Sequence, residues 1–372
     1  GNNQASKDAV KGVEDAMTDL DPASDNATFV YARASVKLDH LSWSVALFDK
    51  KVDVNDEGVW SSGLDKGGAR NVYENGAYSY RISLNNPDSS GAKDICFFDA
   101  LDAFDPSSAS GSVGKDDAGD ITWKGHLQGV DVSALTRAGA DAHVYYSTLP
   151  ASELKLDAKN GGKTTDLTDR SVWTPAESYA GSLDEVTAVA VDAAKKADGS
   201  DFVVGEGDTA SFTIRMRAPR VEDLEQDSAA HSKWFDTDLA KGESESGLAG
   251  GAHAYNSSVL RCTTISNAGV DSPNQVIRKE YTKVGLKPFG ITVKKAWSDS
   301  DNRDGKRPQS VTVHLYADGQ DTGRSAILSD ANNWQADFGS DGGLRVLNDK
   351  GETIAYSIEE DSIEGYLADV QL

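Results

Sequence analysis

Tyr78-Ser79-Tyr80-Arg81-Ile82-Ser83-Leu84 alternates large apolar side chains with small or charged ones at a period of two. Successive side chains of an extended chain point to opposite faces, so Tyr78, Tyr80, Ile82 and Leu84 form one face that needs a second layer to cover it. The run ends at Asn85-Asn86-Pro87, residue types that favour turns. The same alternation recurs on either side: Leu41 to Val54, Ile95 to Phe98, Ile121 to Trp123, His143 to Tyr146, Val186 to Val191, and Ser211 to Arg217, where Phe212, Ile214 and Met216 alternate with Thr213, Arg215 and Arg217. Gly, Asp, Ser and Asn clusters separate most of these runs. Many short strands with such punctuation predict an all-β chain of tandem Ig-like β-sandwich domains. The stretches 105–120, 150–182 and 220–250 read as long loop insertions. Helical spacing is confined to Val10, Val13, Met17 and Leu20 after Ser6, a short N-terminal helix, and to Ser133-Ala134-Leu135-Thr136.

At Lys287-Pro288-Phe289-Gly290 the pattern resets, and Ile291-Thr292-Val293-Lys294-Lys295-Ala296-Trp297 opens a fresh strand. Further strands are expected at Ser310 to Tyr316, Trp334 to Phe338 and Thr353 to Ile358, joined by turns such as Asp318-Gly319 and Asp341-Gly342-Gly343. The expected organisation is a helix and lead-in strand over 1–40, a large sandwich with insertions over 41–285, whether as one domain or two, and a small sandwich over 290–372.

Composition narrows the function. Of 372 residues, 37 are Lys or Arg and 60 are Asp or Glu, for a net charge of −23. Such a surface repels phosphate backbones and anionic lipid, which argues against nucleic acid and against direct membrane binding. No apolar run is long enough to cross a bilayer, and no charged-then-apolar signal segment opens the chain. The start at Gly1-Asn2-Asn3 and the end at Leu372 read as the edges of an excerpt, with signal peptide and wall anchor outside it.

The six histidines never pair at metal-ligand spacing, and there is no nucleophile elbow, Walker loop or zinc-protease motif. Asp299 to Gly305 has the acid density of a calcium loop, but Arg303 and the absence of a closing Glu favour a plain turn. Gly205-Glu206-Gly207-Asp208 precedes a strand, so it is a turn and no phosphate cradle. Neither a metal nor a cofactor is expected, and the chain is expected to be a monomer. Cys96 and Cys262 are too few for a disulfide scaffold; one bridge between them and two separately buried thiols both fit the spacing.

Residues 291–366 closely resemble the B-type repeat of collagen adhesins. The resemblance rests on Lys295-Ala296-Trp297, Asp301-Asn302-Arg303-Asp304-Gly305-Lys306-Arg307-Pro308, Ser310 to Gly319, Asn333-Trp334, Tyr356-Ser357-Ile358-Glu359-Glu360 and Gly365-Tyr366. More loosely, the larger region resembles the isopeptide-forming domains of pilins, through Lys50-Lys51-Val52-Asp53, Gly76 before the Tyr78 strand, Phe97-Phe98-Asp99-Ala100-Leu101 and Ala254-Tyr255-Asn256-Ser257-Ser258-Val259. In both families a Lys amine attacks an Asn carboxamide, releasing ammonia and leaving a cross-strand amide. Burial disfavours the ammonium and so frees the lone pair, and it favours a neutral carboxyl that can polarise the carbonyl. Fixed neighbours in a folded core then react as if at very high concentration.

For the large domain the resemblance implies Lys50 as nucleophile, Asp99 as proton-shuttling acid and Asn256 as acceptor. Lys50 shares strand parity with Phe48, Val52 and Val54 and so points inward; Lys51, in phase with Asp49 and Asp53, is the fallback. In the last module the corresponding groups are Lys295 and the acid Glu360, but Leu367 to Leu372 supply no acceptor Asn. An unlinked Lys295 is therefore expected: either the module's last strand is cut off or disordered here, or the module carries no bond in this form. The resemblance implies a structural or adhesive segment of a Gram-positive surface protein, extracellular and wall-anchored when full-length, catalysing nothing on an outside substrate. Its partners would be neighbouring domains. The alternative is an adhesin head for a host matrix protein or glycan, suggested by insertions longer than a spacer needs.

Overall fold

The computed structural model describes residues 47–64, 70–103, 122–157, 162–220, 253–272, 274–339 and 344–368. The predicted N-terminal helix and lead-in strand, the 105–120 insertion, nearly all of 220–250 and the Asp341-Gly342-Gly343 turn lie outside the described residues.

Strands β1 (Leu47–Val54), β2 (Asn71–Tyr73), β3 (Ala77–Asn85), β4 (Gly91–Ala100), β5 (His126–Asp131), β6 (His143–Ser147), β7 (Thr174–Pro175), β8 (Ala188–Asp192), β9 (Thr209–Arg217), β10 (His253–Ile265) and β11 (Val276–Lys287) build the larger body. One sheet runs β1-β3-β9-β5 and the other β2-β11-β10-β4-β8-β6-β7. Their pairings are antiparallel except β2 with β11. Inner positions follow the pleat: Phe48, Val52 and Val54 on β1, Tyr78 to Leu84 at alternate positions on β3, and Ala210, Phe212, Ile214 and Met216 on β9 all join one core. The facing sheet adds Ile95, Phe97, Ala254, Leu260, Val284 and Leu286, which closes an Ig-like sandwich. A short helix α1 (Ser133–Arg137) anchors to it through the buried Leu135.

Two expectations need correction. Thr122 and Trp123 form no strand: Thr122 makes an isolated bridge to His253, while Trp123 is buried edge-on against Tyr78. The 150–182 insertion, in its described residues 150–157 and 162–182, is packed and not confined to the surface. It folds back over the outer face of the larger sheet and buries Trp173 and Leu154 completely against Phe98, Ala190 and Val259. The indole N–H donates to the Thr164 carbonyl at 2.9 Å, so the large side chain is satisfied as well as covered.

Residues 289–358 contribute a separate cluster. Strands β12 (Ile291–Lys294) and β15 (Gln335–Phe338) pair in one sheet, and β14 (Gln320–Ser329), β13 (Ser310–Ala317) and β16 (Tyr356–Glu360) in the other. Val313, Leu315, Leu328, Phe338, Leu344 and Ile358 are buried between them. The β13–β14 turn places Asp318 at φ 50° and Gly319 at φ 76°, the two left-handed residues that a tight hairpin of this hand requires.

Candidate functional site

Lys50 sits mid-strand on β1, with Ile82 opposite it in the register, and it occupies an inward position between Phe48 and Val52. Asp99 is near the end of β4, and Ser258 of β10 stands directly across from it. Asn256 lies two residues earlier on β10 and so faces the same interior. Lys50 therefore reaches across the core from one sheet to two neighbouring strands of the other. Its Nζ donates to Asn256 Oδ1 at 2.7 Å, to Ser258 Oγ at 2.8 Å, and to Asp99 Oδ2. Ser258 Oγ also donates to Asp99 Oδ2. The ring of Tyr80 lies 4.4 Å from Nζ.

All of these groups are removed from water: Lys50 and Asp99 are each 1% exposed, Asn256 and Ser258 0%. Burial pushes the Lys50 amine below its ordinary pKa, and the opposing pull of Asp99 does not cancel the effect. A lowered amine pKa enlarges the fraction carrying a free lone pair, and Nζ already stands against the carboxamide. The sequence did not point to two further participants. Ser258 is in phase with Asn256, and that parity was the available signal. Asp102 follows Asp99 by three residues and receives the hydroxyls of Tyr78 and Tyr80, whose alternation reads as an apolar face although a buried phenol also needs an acceptor. Lys51 pairs with Asp49 at 3.0 Å on the outer surface.

The bridge weighed between Cys96 and Cys262 does not form; both cysteines are free. Cys262 points into the inter-sheet core, whereas Cys96 packs with the outer Trp173 cluster, and Arg261 is the residue opposite Cys96. Thiols on opposite faces of one sheet cannot approach to bonding distance.

In the last module Lys295 Nζ pairs with Glu360 Oε2 at 2.7 Å and lies 4.7 Å from the Trp297 ring. Trp297 is packed edge-to-face by Trp334 and Tyr366, with ring centroids 5.0 Å and 5.1 Å away. Asp299 receives Arg307 in a bidentate pair at 2.8 Å and 2.6 Å, which holds its carboxyl well below the usual range. The acid-rich turn is thus closed by an ion pair within the β12–β13 connection.

The C-terminal module, with Lys295 paired to Glu360 beside Trp297, is similar to the B-type repeats of Gram-positive surface adhesins. Residues 291–371 match the Cna protein B-type domain family. Over 80 residues, 21% of this chain, the sequence is 42% identical to a collagen adhesin of Staphylococcus aureus, of which the match spans 6%. Among solved structures, a single B repeat unit of the collagen-binding surface protein of S. aureus aligns at 24% identity over 37% of this chain and 87% of that one, with a TM-score of 0.22. The full-length major pilin SpaD of Corynebacterium diphtheriae aligns at 13% identity over 87% of this chain and 58% of that one, with a TM-score of 0.26. Among the described residues no helix is long and apolar enough to cross a membrane.

Proposed function

We propose that the larger sandwich closes an intramolecular isopeptide bond between Lys50 and Asn256, and that the chain is a covalently braced structural segment of an extracellular surface protein. The observation that carries this reading is the buried Lys50 Nζ standing 2.7 Å from Asn256 Oδ1 beside a buried carboxyl. In the reaction, the Lys50 ammonium first passes a proton to Asp99, leaving a neutral amine. Nζ bonds to Cγ of Asn256, Asp99 relays one Nζ proton to Nδ2, the Cγ–Nδ2 bond breaks and ammonia departs. Among the described residues Oδ1 of Asp99 has no hydrogen-bond partner, which leaves it able to carry the proton in transit. Ser258, bonded to both Nζ and Asp99, holds the amine and the acid in register.

The bond would join the two sheets and close a loop spanning 206 positions. A chain-entropy treatment gives about 5 kcal/mol for a cross-link of that size. Because the tie runs between strands far apart in sequence, it resists their separation under load, which suits a stalk. The intact chain should weigh one ammonia less than its sequence, and Lys50→Ala and Asn256→Ala should each restore the full mass. An unsubstituted chain at full mass refutes the reading.

Recognition of a host matrix protein is the second reading. It is favoured by the collagen adhesin match, which covers a small part of that protein, and by insertions longer than a spacer needs. A binding screen against collagen tests it, and a purely structural segment binds none.

A further inference from the structure

Asp102 lies in the turn that ends β4, in the left-handed region at φ 46°, which Asp tolerates better than most residues. It is buried, and each neighbour that bonds its carboxylate is a donor. Oδ1 accepts the Tyr80 hydroxyl at 2.6 Å and Nδ2 of Asn256 at 3.3 Å; Oδ2 accepts the Tyr78 hydroxyl and the Gly125 amide, the latter at 3.0 Å. The cradle is built tightly. A Cβ at position 125 would meet the Tyr78 hydroxyl oxygen at 1.8 Å, so only glycine lets the Gly125 amide and the Tyr78 phenol share one oxygen. Burial raises the Asp102 carboxyl above its ordinary pKa, and the Tyr78 and Tyr80 hydroxyls and the Gly125 amide oppose that by donating to its ionised form.

We propose that Asp102 is a positioning residue for the reaction at Asn256: it takes the Nδ2–H, fixes which end of the carboxamide faces Lys50, and steadies the nitrogen that leaves. This rests on the Lys50–Asn256 reading above. A primary amide is nearly symmetric in shape, and only its partners distinguish the oxygen from the nitrogen. With Lys50 Nζ donating on one side and Asp102 accepting on the other, the reversed orientation would set an oxygen against a carboxylate and an NH2 against the amine. The observed orientation keeps Oδ1 polarised by Nζ and exposes Cγ to attack. As Nδ2 takes its third proton it becomes a cationic leaving group before the Cγ–Nδ2 bond breaks. A fixed carboxylate at that position stabilises charge where it develops. Bonds and protons are conserved: Nζ–Cγ forms, Cγ–Nδ2 breaks, one Nζ proton ends on ammonia, and Asp102 is unchanged.

The test uses the full chain made by cell-free synthesis, with intact mass sampled over time at several pH values. Asp102→Asn, which matches the shape but cannot offer two acceptor oxygens, should lose ammonia roughly a hundredfold more slowly than the unsubstituted chain. Linking within about tenfold of the unsubstituted rate overturns the proposal. Two controls separate positioning from folding. In a Lys50→Met background, which cannot link, the side-chain amide protons of Asn256 should exchange slowly with solvent, and adding Asp102→Asn should speed that exchange; identical exchange in the two chains contradicts the role. Tyr80→Phe keeps the ring over Nζ and removes a hydroxyl from the Asp102 cradle, and it too should slow linking; an unchanged rate counts against the cradle. If the unsubstituted chain never loses ammonia, the isopeptide reading falls and this role with it. If it links and Asp102→Asn links equally fast, only the positioning role falls.

Discussion

Lys50 and Asn256, separated by 206 positions in sequence, meet at 2.7 Å in a part of the core where neither is more than 1% exposed. A buried amine this close to a carboxamide makes a testable system, because both its chemistry and its energetics are set by burial.

Protonation of Lys50 should be visible in the stability of a chain that cannot link. Burial holds the folded-state pKa below the ordinary value of about 10.4, so between the two values the unfolded chain binds more protons than the folded one. Stability must then rise with pH across that window and be lost as pH falls toward the folded value. Urea unfolding of Asn256→Ala between pH 7 and 10 should show this rise relative to the Lys50→Met, Asn256→Ala double variant, in which other groups cancel. A difference that stays flat or narrows in the opposite sense would mean the amine keeps its charge at no cost.

Trp173 should be a pillar of the fold despite lying in a segment whose described residues hold a single two-residue strand, β7. It is fully buried and packs on Phe98 with ring centroids 5.7 Å apart. Trp173→Ala removes that packing and leaves a cavity, for an expected loss of roughly 3–5 kcal/mol in chemical unfolding. A loss below about 1 kcal/mol, the range of ordinary surface substitutions, would mean that the segment detaches readily.

The two thiols should behave as separate groups, Cys262 buried and Cys96 half-buried. Burial raises the Cys262 thiol to about 12 and pushes Cys96 well above its usual value. Alkylation at pH 8 should be slow for both in the folded chain and rapid after unfolding. A non-reduced mass lighter by two hydrogens would show a bridge that opposite faces of the sheet should forbid.

In the last module, Lys295 should remain a free amine held by Glu360. Trypsin acting on the unfolded chain should cut after Lys295 but not after Lys50. A branched peptide containing Lys295 would reveal an acceptor elsewhere.

The alternation of Tyr78 to Leu84 was enough to predict an inward face, and the parity of Lys50 with Phe48 and Val52 was enough to turn its side chain into the core; both are local properties of a pleated strand. Strands β11 and β14 were not legible. Arg278, Lys279 and Glu280 interrupt the first, and Gln320 to Gly323 of the second are exposed throughout, so neither displays an apolar stripe. The role of Asp102 was hidden for another reason. Its partners come from β3, from the residue before β5 and from β10, and no sequence spacing brings Tyr78, Gly125 and Asn256 together before the sheets close. Spacing left a Cys96–Cys262 bridge and two separate thiols equally open, because pairing of β4 with β10 brings their backbones together while the side chains lie on opposite faces.

The most direct test of the account is tandem mass spectrometry of a digest of the purified, unsubstituted chain. The predicted result is a branched peptide in which the side chain of Lys50 is joined to that of Asn256, at a mass one ammonia below the sum of the two linear peptides. Recovery of Lys50 and Asn256 in separate, unmodified linear peptides would contradict it.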